Sequence, residues 1–117
     1  MKINIKTTNL EITPAINDYL ELKIGSLKRF LNKFEKDDEV IISTEIAKTT
    51  KHHKKGDVFY AEANICLPGK ILRAEHSDWD IRVAIDNVRD KLQQEIKKYK
   101  TKKEISRKIG AKLRGKK

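Results

Sequence analysis

The segment "DWDIRVAIDNVRDKLQQEIKKYK", residues 78–100, constrains the fold of this chain most strongly. At 100° per residue, its apolar side chains fall within roughly 80° of arc: Ile81, Ile85, Val88, Leu92, Ile96 and Tyr99. Ser77 or Asp78 is the predicted N-cap, and Asp78 and Asp80 complement the helix dipole. The segment predicts an amphipathic helix that must bury its stripe against another layer.

A second apolar stripe runs through "ITPAINDYLELKIGSLKRFL". Thr13 as N-cap and Pro14 at the first helical position predict where this helix starts. The stripe consists of Ile16, Leu20, Ile24, Leu27, Leu31 and Phe34. Gly25 lies outside the stripe and weakens the helix by ~1 kcal/mol relative to alanine. The spacing predicts one helix over this segment, packed through its apolar face.

Four further stretches alternate apolar and polar residues, which is typical of half-buried strands. They are "KINIK", "EVIISTEIA", "DVFYAEANICL" and "ILRAEHS". "PGK" at 68–70 predicts a tight turn between the last two. The order is β-α-β-β-β-α, which predicts an α+β fold: a four-stranded mixed sheet with two helices packed on one face. A crossover helix between the first two strands favours their parallel pairing.

The positive charge of the chain is concentrated in two segments. The formal net charge is +10: residues 48–56 carry +4, residues 101–117 carry +7, and all other residues together carry −1. Such an excess predicts a polyanionic partner, nucleic acid first and an anionic membrane surface second. We predict a folded domain over residues 1–100 and a basic, disordered or fold-on-binding tail over 101–117. A merely solubilising tail is the alternative.

The sequence favours neither an enzyme nor a metal protein. Cys66 is the single cysteine, which excludes an internal disulfide and fits a reducing compartment such as the cytoplasm. His52 and His53 are adjacent in a basic loop and have no second ligand pair at metal-binding spacing. The N-terminus has no secretory signal, and no apolar run is long enough to span a membrane. We expect no cofactor, no small-molecule substrate and no membrane partner.

Cations flank both predicted apolar stripes. Lys23 lies within the first stripe, where it either extends its stem over the core or faces a ligand. On the second helix, Arg82, Arg89, Gln93 and Lys100 share one flank, and Lys91 and Lys98 share the other. Two such helices side by side predict a groove edged with groups that bind phosphate. The alternative is that these charges only solvate the fold.

Three segments carry a family resemblance: "TPAINDYLELKIGSLKRF", "LPGKILRAE" and "DIRVAIDNVRDKLQQEIKKYK". They resemble the ribosome hibernation-promoting factor family, also called ribosome-associated inhibitors or ribosomal subunit interface proteins. The resemblance covers residues 1 to about 100 and implies a β-α-β-β-β-α fold similar to double-stranded-RNA-binding domains. The chain ends before the C-terminal dimerisation domain of the family's long form, so it resembles a short form.

The resemblance also implies a function. Such proteins bind the small ribosomal subunit and its rRNA in the mRNA and tRNA channel, and they inhibit translation in idle or stressed cells. Arg82 stands where the family usually has tyrosine, and Gln94 and Glu95 replace a basic residue and a glutamine, which shifts the expected footprint toward Arg82 and Arg89. The positions that match the family's basic pattern are Lys23, Arg29, Lys91, Lys97, Lys98 and Lys100.

Two alternative functions stay open at this point. One is a general structured-RNA- or DNA-binding module that uses the same groove. The other is a protein-interaction domain that docks a partner on the exposed sheet face through Ile41, Tyr60 and Ile71.

Overall fold

The computed structural model describes residues 1–35, 39–49 and 58–114, with side chains through residue 109. Its elements are β1 (Lys2–Thr8), α1 (Pro14–Gly25), α2 (Lys28–Leu31), a 3-10 turn (Asn32–Phe34), β2 (Ile41–Thr49), β3 (Val58–Leu67), β4 (Lys70–Asp78) and α3 (Ile81–Arg114). The predicted fold class is therefore confirmed, with the first predicted helix divided in two. Of the basic loop predicted at 48–56, Lys48 and Thr49 belong to β2, and the remainder lies outside the described residues.

The four strands lie in the order β1-β2-β3-β4. β1 pairs parallel with β2, and the other two pairings are antiparallel. Ile42 pairs with Ile3 and with Ile65, so the inward-facing residues of neighbouring strands lie side by side. This register places the alternate apolar residues of every strand on the face that the helices cover.

The helices bury their predicted stripes on this face. α1 packs beside α3, and α3 lies over β3 and β4. The helix residues of the core are Ile16, Leu20, Ile24, Leu27, Leu31, Ala84, Ile85, Val88, Leu92, Ile96 and Tyr99. Because one sheet face accepts both stripes, the outer flanks of the helices are free to present polar and charged side chains.

The first predicted helix is interrupted at Ser26. Its start is as predicted: Thr13 Oγ1 accepts a hydrogen bond from the Ile16 amide at 3.2 Å, and Pro14 follows as the first helical residue. α1 then ends at Gly25, and the Ser26 hydroxyl donates to the Lys23 carbonyl at 2.6 Å. α2 and the 3-10 turn follow, and together they still bury Leu27 and Leu31. The break therefore leaves the apolar stripe intact.

α3 differs from the sequence prediction at both ends. The residue that caps its first turn is Asp80, whose Oδ1 accepts from the Arg82 amide at 2.9 Å, rather than Ser77 or Asp78. At the other end, residues 101–114 continue the helix where the pattern predicts a disordered tail. The packing nevertheless changes near the predicted boundary, because Tyr99 is buried and every side chain from 101 to 109 is exposed.

The open face of the sheet carries acids. Glu45, Glu62 and Glu75 lie directly opposite one another on β2, β3 and β4. Arg73 lies 3.2 Å from Glu62 and 3.0 Å from Glu75, and the Tyr60 hydroxyl is within hydrogen-bonding distance of both carboxylates. The Tyr60 hydroxyl is the main cause that lowers the pKa of both glutamates. Lys6 of β1 lies 3.7 Å from Glu45, so the acids of the open face are paired with bases, on the side opposite to the helices.

Candidate nucleic-acid interface

One tyrosine organises the end of the α1–α3 groove that lies near the start of α3. Tyr19 of α1 donates its hydroxyl hydrogen to Asp86 Oδ1 of α3 at 2.6 Å, and this bond is the main cause that raises the pKa of Tyr19 to about 12. Lys23 Nζ lies 3.6 Å from the same oxygen. Lys23 and Arg82 both lie 5.6 Å from the centre of the Tyr19 ring. The aromatic ring thereby gathers one cation from each helix at the mouth of the groove.

Arg89 joins the two helices in the middle of the groove. Its Nε donates to Ser26 Oγ at 3.0 Å, and its Nη1 contacts Asp90 and the side-chain oxygen of Gln93. The Arg89 side chain is 17% exposed. Because its guanidinium is held by three partners, Arg89 positions α3 against the break between α1 and α2, and it presents only part of its charge outward.

Two phenylalanines form the other end of the groove, which lies near Lys100. Arg29 lies 4.7 Å from the centre of the Phe30 ring, and Lys100 lies 5.7 Å from that ring and 6.0 Å from the Phe34 ring. Burial of Lys100 is the main cause that lowers the pKa of its ammonium, and repulsion by Lys33 adds to the effect. Lys100 is therefore a partly desolvated cation facing other cations.

The remaining predicted residues lie on other parts of α3. Lys91 Nζ donates to the Glu75 carbonyl of β4 at 2.8 Å, and Lys98 pairs with Glu95 at 3.5 Å. Lys97 is exposed. The structure thus brings five predicted cations to the groove between α1–α2 and α3, whereas Lys91 lies on the flank next to β4. The five groove cations are Lys23, Arg29, Arg82, Arg89 and Lys100.

The prediction missed three basic residues that the fold places beyond the Lys100 end of the groove. Lys33 lies 5.4 Å from the Phe34 ring, and Lys103 lies 5.6 Å from the Tyr99 ring. Arg107 lines the same cleft as both. The signal for Arg107 is its spacing: it follows Lys100 by seven residues, as Arg89 follows Arg82, so it shares their flank once the helix continues.

The groove is suited to binding an anion. Among the described residues, no group of three or more His, Cys, Asp or Glu side chains is placed to hold a metal ion. In those same ranges, no helix is long and apolar enough to cross a membrane. Planar guanidinium groups and mobile ammonium groups along two rigid helices are suited to phosphate oxygens.

Comparison with known proteins identifies the family. Residues 3–104 match the family described as "Sigma 54 modulation protein / S30EA ribosomal protein". The chain belongs to this family. It is 36% identical over 101 residues to a ribosome hibernation promotion factor of Lactococcus lactis, covering 86% of this chain and 50% of that protein. It is 32% identical over 102 residues to a ribosome hibernation promoting factor of Klebsiella oxytoca, covering 87% and 96% respectively.

The chain therefore spans about half the length of the Lactococcus protein and nearly all of the Klebsiella protein. Among solved structures it is similar to the N-terminal domain of Thermus thermophilus Protein Y, with a TM-score of 0.67 and 32% identity over 85% of this chain and 99% of that one. A ribosomal subunit interface protein from Coxiella burnetii has the same fold, with a TM-score of 0.64 and 23% identity.

Proposed function

We propose that this protein is a non-enzymatic ribosome hibernation factor. It binds the small ribosomal subunit in the channel that mRNA and tRNA otherwise occupy, and thereby inhibits translation in idle or stressed cells. It acts in the cytoplasm, where its target lies. The names of its relatives support ribosome association, the cations of the helix side support contact with rRNA, and the resemblance to the family supports the channel as the site.

The observation that carries the proposal is the separation of charge between the two faces of the fold. The helix side presents the groove cations, whereas the open face of the sheet carries the row formed by Glu45, Glu62 and Glu75. RNA phosphates are attracted to the first surface, whereas on the second surface Lys6 and Arg73 already neutralise the acids, so that face offers no excess of positive charge. The protein therefore binds rRNA in one orientation, with its helices toward the RNA.

Rigid spacing accounts for selectivity. Folded rRNA is recognised mainly by shape and by its phosphates. Two hydrogen-bonded contacts fix the two helices relative to each other: Tyr19 to Asp86 and Arg89 to Ser26. The groove cations are thus held at set distances before binding, which lowers the entropic cost of association. Inhibition follows from occupying the channel, without bond breaking.

Co-sedimentation with purified ribosomal subunits tests the proposal. The protein is expected to migrate with the small-subunit fraction at low salt and to be released as the salt concentration rises, because phosphate contacts release counterions. Absence from the small-subunit fraction at low salt contradicts the proposal.

Two double variants with the same change in charge locate the contact surface. Arg82→Gln with Lys100→Gln removes two groove cations, and Lys2→Gln with Lys6→Gln removes two cations from β1, away from the groove. Loss of two phosphate contacts is expected to weaken binding and to reduce the salt slope by about 2. The β1 variant is expected to bind like the wild type. Equal loss in both variants would mean that net charge, and not the groove, drives association.

A third variant asks whether the β4 flank also contacts RNA. Lys91→Glu with Lys98→Glu is expected to weaken ribosome association while leaving the thermal unfolding temperature nearly unchanged. A matching loss of stability would show that these lysines support the fold.

A competition experiment tests whether the protein prefers the small subunit to RNA duplexes in general. A short RNA duplex that displaces the protein from small subunits at equal concentration would favour a general structured-RNA-binding module. Retained binding after Tyr60→Glu would argue against the open sheet face as the main contact.

A further inference from the structure

A cleft of about 350 Å³ lies beyond the Lys100 end of the groove, and we call it the Phe34 cleft. Its walls come from three parts of the chain: the 3-10 turn with Lys33 and Phe34, Pro68 in the turn between β3 and β4, and α3 from Tyr99 to Arg107. The volume lies within the range of small-ligand sites. None of its cations except Lys100, which borders it, belongs to the predicted interface.

Cations converge on an aromatic pair in this cleft. The Phe34 and Tyr99 rings meet edge to face with their centres 5.3 Å apart. Ammonium groups approach these rings at 5.4 Å from Lys33, 6.0 Å from Lys100 and 5.6 Å from Lys103. Tyr99 is fixed in place because its hydroxyl donates to the Pro68 carbonyl at 2.8 Å. The lysine stems are therefore anchored on a rigid aromatic floor, with Arg107 adding a fourth cation.

Acids balance these charges poorly. Three other cations on the helix side lie close to carboxylates: Lys23 to Asp86, Arg89 to Asp90 and Lys98 to Glu95, at 3.6, 3.3 and 3.5 Å. Among the described residues that line the Phe34 cleft, the carboxylate is that of Glu104. Like charges held together without a counterion destabilise the fold.

Lys100 is affected both by burial and by the neighbouring cations. Its pKa is lowered because its ammonium is partly buried, and because Lys33 repels it more than Glu104 compensates. An anion seated among Lys33, Lys100, Lys103 and Arg107 would relieve this repulsion. A group with two or more negative charges fits a cleft with four cations and one acid better than a single charge does.

We propose that the Phe34 cleft binds a phosphate group that carries two or more negative charges. This chemistry has two sources, a free polyphosphate such as a nucleoside triphosphate and the 5′-phosphorylated end of an RNA. The proposal goes beyond ribosome binding and does not depend on it, because the cleft cations Lys33, Lys103 and Arg107 are separate from the groove cations.

Calorimetric titration of the whole chain with inorganic pyrophosphate tests the site. The variant Lys33→Gln with Arg107→Gln is expected to bind pyrophosphate at least tenfold more weakly than the wild type. Lys2→Gln with Lys6→Gln removes the same charge from β1 and is expected to change affinity less than twofold. Circular dichroism checks that both variants keep the fold. Absence of pyrophosphate binding, or equal weakening in both variants, overturns the proposal.

Two further titrations distinguish the sources. The same short single-stranded RNA is compared with a 5′-triphosphate and with a 5′-hydroxyl, and ATP is titrated separately. A preference for the triphosphate RNA that the Lys33/Arg107 variant loses assigns the cleft to RNA ends. Binding of ATP with no preference between the RNAs assigns it to free polyphosphate. If neither ligand distinguishes this variant from the β1 variant, the proposal is wrong.

Co-sedimentation separates this result from the ribosome proposal. A Lys33/Arg107 variant that loses pyrophosphate but still migrates with small subunits shows that the two sites act independently. Loss of ribosome binding by Lys23→Gln with Arg82→Gln, which leaves all four cleft cations in place, gives the complementary result when pyrophosphate binding is retained.

Discussion

Two stretches of α3 have the same backbone and opposite surroundings. Residues 81–99 bury six side chains in the core, whereas every side chain from 101 to 109 is exposed. The first stretch carries a net charge of +2 over 19 residues, and the second carries +3 over nine. Ile105 and Ile109 are more than half exposed, although their residue type is the same as that of buried Ile96. Position relative to the sheet, rather than residue type or helicity, separates the two stretches.

The comparison shows that hydrophobic periodicity reports packing and not helix length. Adding a turn to an existing helix avoids the cost of nucleation, and lysine, arginine and alanine are good helix formers. The exposed stretch can therefore remain helical with no core beneath it. At about 1.5 Å per residue, the 14 residues from 101 to 114 lengthen the helix axis by about 21 Å.

Truncation of a core leucine is the strongest test of this difference. Leu92 is fully buried, so Leu92→Ala is expected to lower the free energy of unfolding by about 2–5 kcal/mol. Ile105→Ala, the control on the exposed stretch, is expected to change it by less than about 0.5 kcal/mol. Urea denaturation followed by circular dichroism measures both. A cost above 2 kcal/mol for Ile105→Ala would show that the exposed stretch packs against something in solution.

The junction between the two stretches depends on Tyr99. Tyr99→Phe removes the hydroxyl that donates to the Pro68 carbonyl and keeps the ring against Phe34. We expect a loss of about 1 kcal/mol in unfolding free energy, the ordinary contribution of one hydrogen bond. Phe34→Leu serves as a companion variant that removes the edge-to-face contact instead. No measurable loss for Tyr99→Phe would mean that ring packing alone holds the junction.

Sequence patterns predict the packed stretch far better than the exposed one. Alternation and helical stripes are enough to predict the strands, the parallel β1–β2 pair and the inward faces of both helices, because each burial pattern has one period. The break at Ser26 could not be predicted in this way, because Leu27 and Leu31 continue the helical spacing of apolar residues across it. The helix beyond residue 100 could not be predicted in this way either, because a helix with no buried face does not require apolar residues at helical spacing.

The candidate site was predictable to the same degree. Flank positions on α3 follow from residue spacing, so Arg82, Arg89 and Lys100 were found together. The bond between Tyr19 and Asp86 was not predictable, because it joins residues 67 positions apart through tertiary packing. Lys33 and Arg107 lie in one cleft only because the 3-10 turn and the continued helix meet there.

Acid denaturation probes the sheet on which the packed stretch of α3 lies, and its expected effect is smaller. The folded-state pKa of Glu62 lies below its ordinary value of 4.5, mainly because Tyr60 and Asn64 donate hydrogen bonds to its carboxylate. Its contribution to stability is therefore present above about pH 4.5 and is lost as the pH falls through the lower, folded-state pKa. Glu62→Gln is therefore expected to reduce the pH dependence of the urea midpoint between about pH 5 and about pH 3, which is the range in which carboxylates titrate.

The companion variant is Tyr60→Phe, which keeps the Glu62 carboxylate and removes the hydroxyl that donates to it. We expect it to reduce the acid dependence of unfolding in the same direction as Glu62→Gln, because the main cause that lowers the pKa of Glu62 is lost. An unchanged acid dependence in Tyr60→Phe would contradict the assignment of acid sensitivity to this hydrogen bond.

Removing the exposed stretch is expected to have the smallest effect on stability. A chain that ends at Thr101 keeps every buried residue of the core, so its unfolding free energy should stay within about 0.5 kcal/mol of the wild type. The helical signal in circular dichroism should fall by the contribution of residues 102–114, and pyrophosphate affinity should fall because Lys103 and Arg107 are gone. A marked loss of stability would mean that the basic stretch supports the core, and the two parts of α3 would then be one structural unit instead of a packed anchor and a charged arm.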